Sequence, residues 1–160
     1  MIRLLRTALA AAILIATPAF AQSDTIQLGE LHISGPFTRA TLPNAPVGGG
    51  FFTIENTGAE ADRLVSAASD VAEDTQIHEM AVQGDVMKMR KLGDGLEIPA
   101  GETIALAPGG FHLMFMGLNR AFVEGEAVTV TLTFEKAGTV EVELPVMASA
   151  ADAPPMEHGH

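Results

Sequence analysis

The sequence has 160 residues, with twenty Asp and Glu against nine Lys and Arg, eight Met, five His and no Cys, Trp or Tyr. That length holds one domain with a leader or a tail. The missing Cys excludes a disulfide framework, a thiolate metal site, a Cys nucleophile and a lipid-anchored N-terminal Cys, and a net charge of -11 argues against a nucleic-acid partner, whose phosphates need clustered Lys and Arg.

Residues 1–21 read as an export signal. Arg3 and Arg6 form a positive start, Leu9 to Ala16 is an uncharged apolar run, and Ala19-Phe20-Ala21 fits the small-x-small cleavage pattern. Gln22 then begins the mature chain. The apolar run is too short to cross a bilayer, so no membrane span is expected after cleavage. Cleavage leaves seven bases against twenty acids. With no disulfide available, a packed core must stabilise the domain.

From there the pattern predicts an all-β domain over residues 22–147, a Greek-key sandwich or barrel. Ile26, Leu28, Leu31 and Ile33 form one strand-like run with a slip at Gly29-Glu30. Pro36, Pro43 and Pro46 punctuate a long loop. Gly48-Gly49-Gly50 leads into a strand over Phe51 to Ile54, closed by Asn56-Thr57-Gly58. Leu64 to Ala67 is a short apolar segment. Thr75 to Met80 and Val86 to Lys91 flank the turn Gln83-Gly84-Asp85. Strands follow at Leu96 to Ile98, Thr103 to Leu106 and Phe111 to Met116. Val128, Val130, Leu132 and Phe134 share one face of a strand that turns at Lys136-Ala137-Gly138 into the alternating Val140 to Leu144, a hairpin. Residues 148–160 form a flexible tail ending in Met156, His158 and His160.

No nucleophile elbow, phosphate loop or dinucleotide fingerprint is present, so no enzyme is expected. The His and Met residues carry the signal. They cluster as His78-Glu79-Met80, Met87-Lys88-Met89 and His112-Leu113-Met114-Phe115-Met116. Residues two apart on a strand share a face. Each segment therefore presents imidazole or thioether donors on one side. Thioethers are neutral and soft, which suits Cu(I) and not Mg²⁺ or Ca²⁺. Any one Met is more often a core filler, so the reading rests on the clustering. A metal-free sandwich serving as an interaction module is the alternative. His32 lies outside the clusters and is expected to be structural or exposed. The tail donors Met156, His158 and His160 are weaker candidates, for Cu(II).

At these residues the sequence resembles the periplasmic copper chaperone family called PCu(A)C, a cupredoxin-like β-sandwich. The family motif is His, ten residues, Met, about twenty-one residues, then His-x-Met. Here ten residues separate His78 from Met89, and twenty-two separate Met89 from His112-Leu113-Met114. Arg39-Ala40, Gly50 to Gly58, Met87 to Arg90, Gly95 to Gly101, Pro108 to Met114 and Leu132 to Gly138 add to the likeness, which spans residues 27–147. The resemblance implies Cu(I) ligands at His78, Met89, His112 and Met114, with Met80 and Met87 as rivals and Met116 packing. It implies a periplasmic carrier that takes copper toward the copper-site domain of cytochrome c oxidase, directly or through a partner chaperone. A copper-storage or resistance protein is the alternative within the same chemistry.

Overall fold

The computed structural model describes residues 25–151, and every regular element among them is a strand. In chain order these are β1 (Ile26–Leu28), β2 (Leu31–Arg39), β3 (Val47–Asn56), β4 (Asp62–Ala68), β5 (Ala72–Gln83), β6 (Val86–Lys91), β7 (Leu96–Ile98), β8 (Thr103–Leu106), β9 (His112–Leu118), β10 (Ala127–Phe134) and β11 (Gly138–Met147). The expected leader and the end of the tail, with Met156, His158 and His160, lie outside the described residues.

The strands form two layers of a β-sandwich. One layer runs β6-β5-β9-β3-β2, with β1 added to β2 and β8 to β3. The other runs β11-β10-β4-β7. Strand β11 joins them by a short parallel pairing of Val146 with Thr38 and Met147 with Arg39. Such linkage covers edges that would otherwise stay open.

Alternation builds the core. Val128, Val130, Leu132 and Phe134 are buried, as the sequence pattern predicts, and so are Val142, Leu144 and Val146 across the hairpin. They meet Leu31, Ile33, Phe52, Ile54, Ile77, Leu113 and Phe115 from the facing layer. Close approach is needed where β3 passes over this core. A Cβ on Gly48 would sit 2.6 Å from the Phe122 ring, and one on Gly50 would sit 3.0 Å from Phe115 and 3.1 Å from Leu144. The Gly run therefore fits a space already filled by aromatic rings.

Three expectations are corrected. Ile26 to Ile33 is not one run with a slip: Gly29-Glu30 is a tight turn, and β1 folds back on β2 with Ile26 opposite Ile33. Gly29 takes φ 59°, which only Gly adopts without strain. Nor does Pro36 begin a loop. Strand β2 continues through it to Arg39 by way of an irregularity between Ser34 and Phe37, with Gly35 at φ 59°. A bulge is where a strand tolerates the missing Pro donor. Strand β5 also starts earlier than expected, at Ala72.

Gly50→Val should destabilise the fold by about 1–3 kcal/mol through overpacking. A urea titration checks this, and an unchanged midpoint would show that the Phe115–Leu144 contact has room to spare.

Candidate metal centre

Strand pairing decides which donors meet. In β5 and β9, His78 lies directly opposite His112, Gln76 opposite Met114 and Asp74 opposite Met116. In β5 and β6, Met80 lies opposite Met89, Val82 opposite Met87 and His78 opposite Lys91. Residues opposite one another share a face, and alternation carries that face along each strand. His78, His112, Met80, Met87, Met89, Met114 and Met116 therefore all occupy the outer face of one three-strand region. The inner face of the same strands carries the core residues Ile77, Leu113 and Phe115. The apolar core contains no Met among the described residues. Met116, expected to pack, is also on the outer face and half-buried.

At the centre is the imidazole pair. The His78 and His112 rings lie 5.6 Å apart between centroids, edge to face, and both residues are buried at 8% and 6% exposure. Each ring has one nitrogen occupied. His78 Nε2 is 2.8 Å from Gln76 Oε1, and the Gln76 amide Nε2 donates to Asp74 Oδ2 at 2.6 Å. That second bond leaves Gln76 only its oxygen for His78, so His78 Nε2 is the donor. His112 Nδ1 donates to the Gly110 carbonyl at 2.9 Å. The other nitrogens, His78 Nδ1 and His112 Nε2, are buried without a partner. Fixing one ring nitrogen as N–H leaves the other as a lone pair, which is how a ligating His is prepared. An unpartnered buried polar atom is costly in a finished structure. Two of them, on rings 5.6 Å apart, fit a bound cation.

The turn before β9 sets His112. Ala107 N–H donates to Phe111 O at 2.9 Å, Gly110 N–H donates to Ala107 O at 3.0 Å, and Gly109 has φ 84°. The β3 side is closed by Gly49, opposite Met114, and by the Phe51 ring, 3.0 Å from where a Gly49 Cβ would stand. Phe51 packs on Phe37 at 5.0 Å between ring centroids.

The electrostatics favour a neutral pair. Burial, then the facing His112 and Lys91, hold the His78 imidazole below its ordinary value. No three His, Asp or Glu side chains among the described residues gather to hold an ion. The donors here are thus two imidazoles and thioether sulfur, a set for a soft ion.

The register brings His78 and His112 together, places Met114 next along β9, and places Met80 next along β5. Met89 stands one strand further out, beyond Met80. Met87 lies outermost. His32, on β2 opposite Glu55, is remote and half-buried. Gln76 and the Gly110 carbonyl were not singled out in the sequence. Gln76 two residues before His78 on a strand was the available signal.

Because folded His78 takes up its proton at lower pH than an unfolded His, the unfolded state binds more protons as pH falls below about 6.5. The metal-free protein should lose stability there, and His78→Gln should flatten that dependence. Urea midpoints from pH 7.5 to 5 measure it; parallel curves for the two proteins would contradict the assignment.

Comparison with known proteins places the family and the fold. The family model "Putative lipoprotein LpqE-like" matches residues 31–146. The lipoprotein Lxx21020 of Leifsonia xyli subsp. xyli is 34% identical over 151 residues, covering 90% of each chain. The PCuAC domain of PmoF2 superposes with TM-score 0.68 in its apo form, at 25% identity over 82% of this chain and 100% of that one. Its copper-bound form gives TM-score 0.66 at 26% identity, over 78% and 98%. The Cu(I) form of DR1885 from Deinococcus radiodurans gives TM-score 0.61 at 27% identity, over 82% and 85%. The chain belongs to the LpqE-like family and has the all-strand fold of the PCuAC domains.

Proposed function

We propose that this protein is an exported Cu(I) carrier that binds the ion at His78, Met89, His112 and Met114. The observation that carries the reading is that two directly opposed residues each keep a buried, unpartnered ring nitrogen, His78 Nδ1 and His112 Nε2, on a face that also holds five thioethers. Copper in the solved PmoF2 domain and Cu(I) in DR1885 support it from outside the chain.

The chain's own groups act as follows. Gln76 and the Gly110 carbonyl take the N–H of each ring and leave His78 Nδ1 and His112 Nε2 as the lone pairs. Burial keeps His78 unprotonated near neutral pH. The thioethers add soft, neutral donors that no proton competes for. None of the four ligands brings charge, so the held ion remains a cation and leaves by exchange onto an acceptor's ligands. With no Cys in the sequence, the site cannot be a blue-copper electron-transfer centre. The protein carries copper and catalyses no reaction.

The destination is the copper-site domain of cytochrome c oxidase, reached directly or through a partner chaperone, as in the family the sequence resembles. The compartment is the periplasm. The signal-like residues 1–21 and the lipoprotein names of the relatives support export. The sequence itself has no Cys to carry a lipid. Met156, His158 and His160 would take Cu(II), since imidazole serves both oxidation states.

His78→Ala and His112→Ala should each lower Cu(I) affinity by more than about tenfold in competition with a chelator, and Gln76→Ala, which removes the ring's orienting partner, by about tenfold. Met89→Leu with Met114→Leu should also weaken binding; unchanged affinity would remove these two from the ligand set. Loaded protein mixed with a soluble oxidase copper-site domain should give up its ion. Retention by the carrier would favour storage.

A further inference from the structure

The outer face holds more donors than one ion uses. Cu(I) is satisfied by a trigonal or tetrahedral set, and the four proposed ligands leave Met80, Met87 and Met116 over. Two of these are not scattered. Met80 lies directly opposite Met89 across the β5–β6 pair, which puts their Cβ atoms about 5 Å apart. Met87 follows Met89 on the same face of β6, about 7 Å along the strand. The three thioethers so form a triangle between the imidazole pair and the tip of the hairpin.

Their exposure is the second observation. Met87 is 54% exposed and Met89 49%. Strand β6 is the outermost of its layer, and every residue in it is exposed. Its other face carries Lys88 and Arg90, with Arg90 paired to Glu79, as suits a sheet edge in water. On the Met-bearing face the one charge of β6 is Lys91, at the His78 end of the strand, and Met87 and Met89 toward the hairpin tip stay exposed. Val82 and Val86, also exposed, make the hairpin tip apolar but supply no donor. Flexible apolar side chains left in water beside a soft-ion site, while the core contains no Met among the described residues, call for a role outside packing.

We propose that Met80, Met87 and Met89 form a second, thioether-only site for a soft monovalent d10 ion, through which Cu(I) enters and leaves the His78–His112 centre. This rests on the Cu(I) reading above. Met89 belongs to both sets and is the shared ligand of the hand-over. As the ion moves inward, its bonds to Met87 and Met80 sulfur break in turn while bonds to His78 Nδ1, His112 Nε2 and Met114 sulfur form, Met89 staying bound throughout. Both donors are neutral, so no proton or electron moves and the ion stays Cu(I). A site of sulfur alone discriminates against Zn²⁺ and Cu(II), which favour imidazole.

The test uses the full chain with 13C-methyl methionine and ring-15N histidine, and Ag(I) as a redox-inert soft probe. Ag(I) should shift the methyl signals of Met80, Met87 and Met89 in the wild type and also in His78→Gln/His112→Gln, whereas Zn²⁺ should leave them in place. In parallel, Met87→Leu should slow Cu(I) transfer to bathocuproine disulfonate several-fold and remove the Ag(I) shift of the Met80 methyl in His78→Gln/His112→Gln. If Ag(I) moves the His78 and His112 rings but not the Met80 and Met87 methyls, or if Met87→Leu leaves the transfer rate unaltered, the second site is wrong while the carrier stands. If neither rings nor methyls on this face respond, the carrier reading itself falls.

Discussion

The antiparallel register of β5 against β9 is the constraint on which the site depends. It sets His78 opposite His112. A slip of one residue would turn every side chain of one strand to the other face. Ile77, Leu113 and Phe115 prevent that slip, because they would then leave the core. Core packing on one side of the sheet thus fixes donor placement on the other. The imidazoles are positioned by residues they never touch.

The same division explains the economy of sulfur. Met commonly fills irregular cores. Here branched aliphatic and Phe side chains fill the interior, and Gly48 and Gly50 make room for the rings. The interior is therefore rigid and specific. The adaptable side chains are kept for the outer face, where a ligand that can swing between partners is useful. Soft donors near the surface and stiff residues beneath them form one arrangement seen from two sides.

Much of this was legible in the sequence, and the limits have physical causes. Two-residue alternation from Val128 to Phe134 predicts a strand with one buried face, and it is one. The clustering of His with Met points to one chemistry because spacing of two means one face. Turn residues misled twice. Gly29-Glu30 looked like a slip and is a hairpin turn, since a local pattern does not say whether a chain reverses. Pro36 looked like a loop, since its tolerance depends on a bulge that only pairing reveals. Within the site, the sequence placed donors on strands but could not rank them. Ranking needs the partner strand: Met80 opposite Met89, with Met80 nearer the rings, is a statement of register. Spacing puts Gln76 on the face of His78, but its role is not in the spacing, because it depends on Asp74 turning its amide.

Three strands separated along the chain supply the donors, and this orders events in time. Joining His78 to His112 closes a loop whose entropy cost is recovered only when the surrounding sheet forms. An unfolded chain thus has no preassembled place for copper, in contrast to short metal motifs whose ligands sit close in sequence. Folding comes first and capture second. On the proposed reading, an ion that binds only the folded form shifts the folding equilibrium further toward it. A molecule that has given up its ion would then be the less stable one.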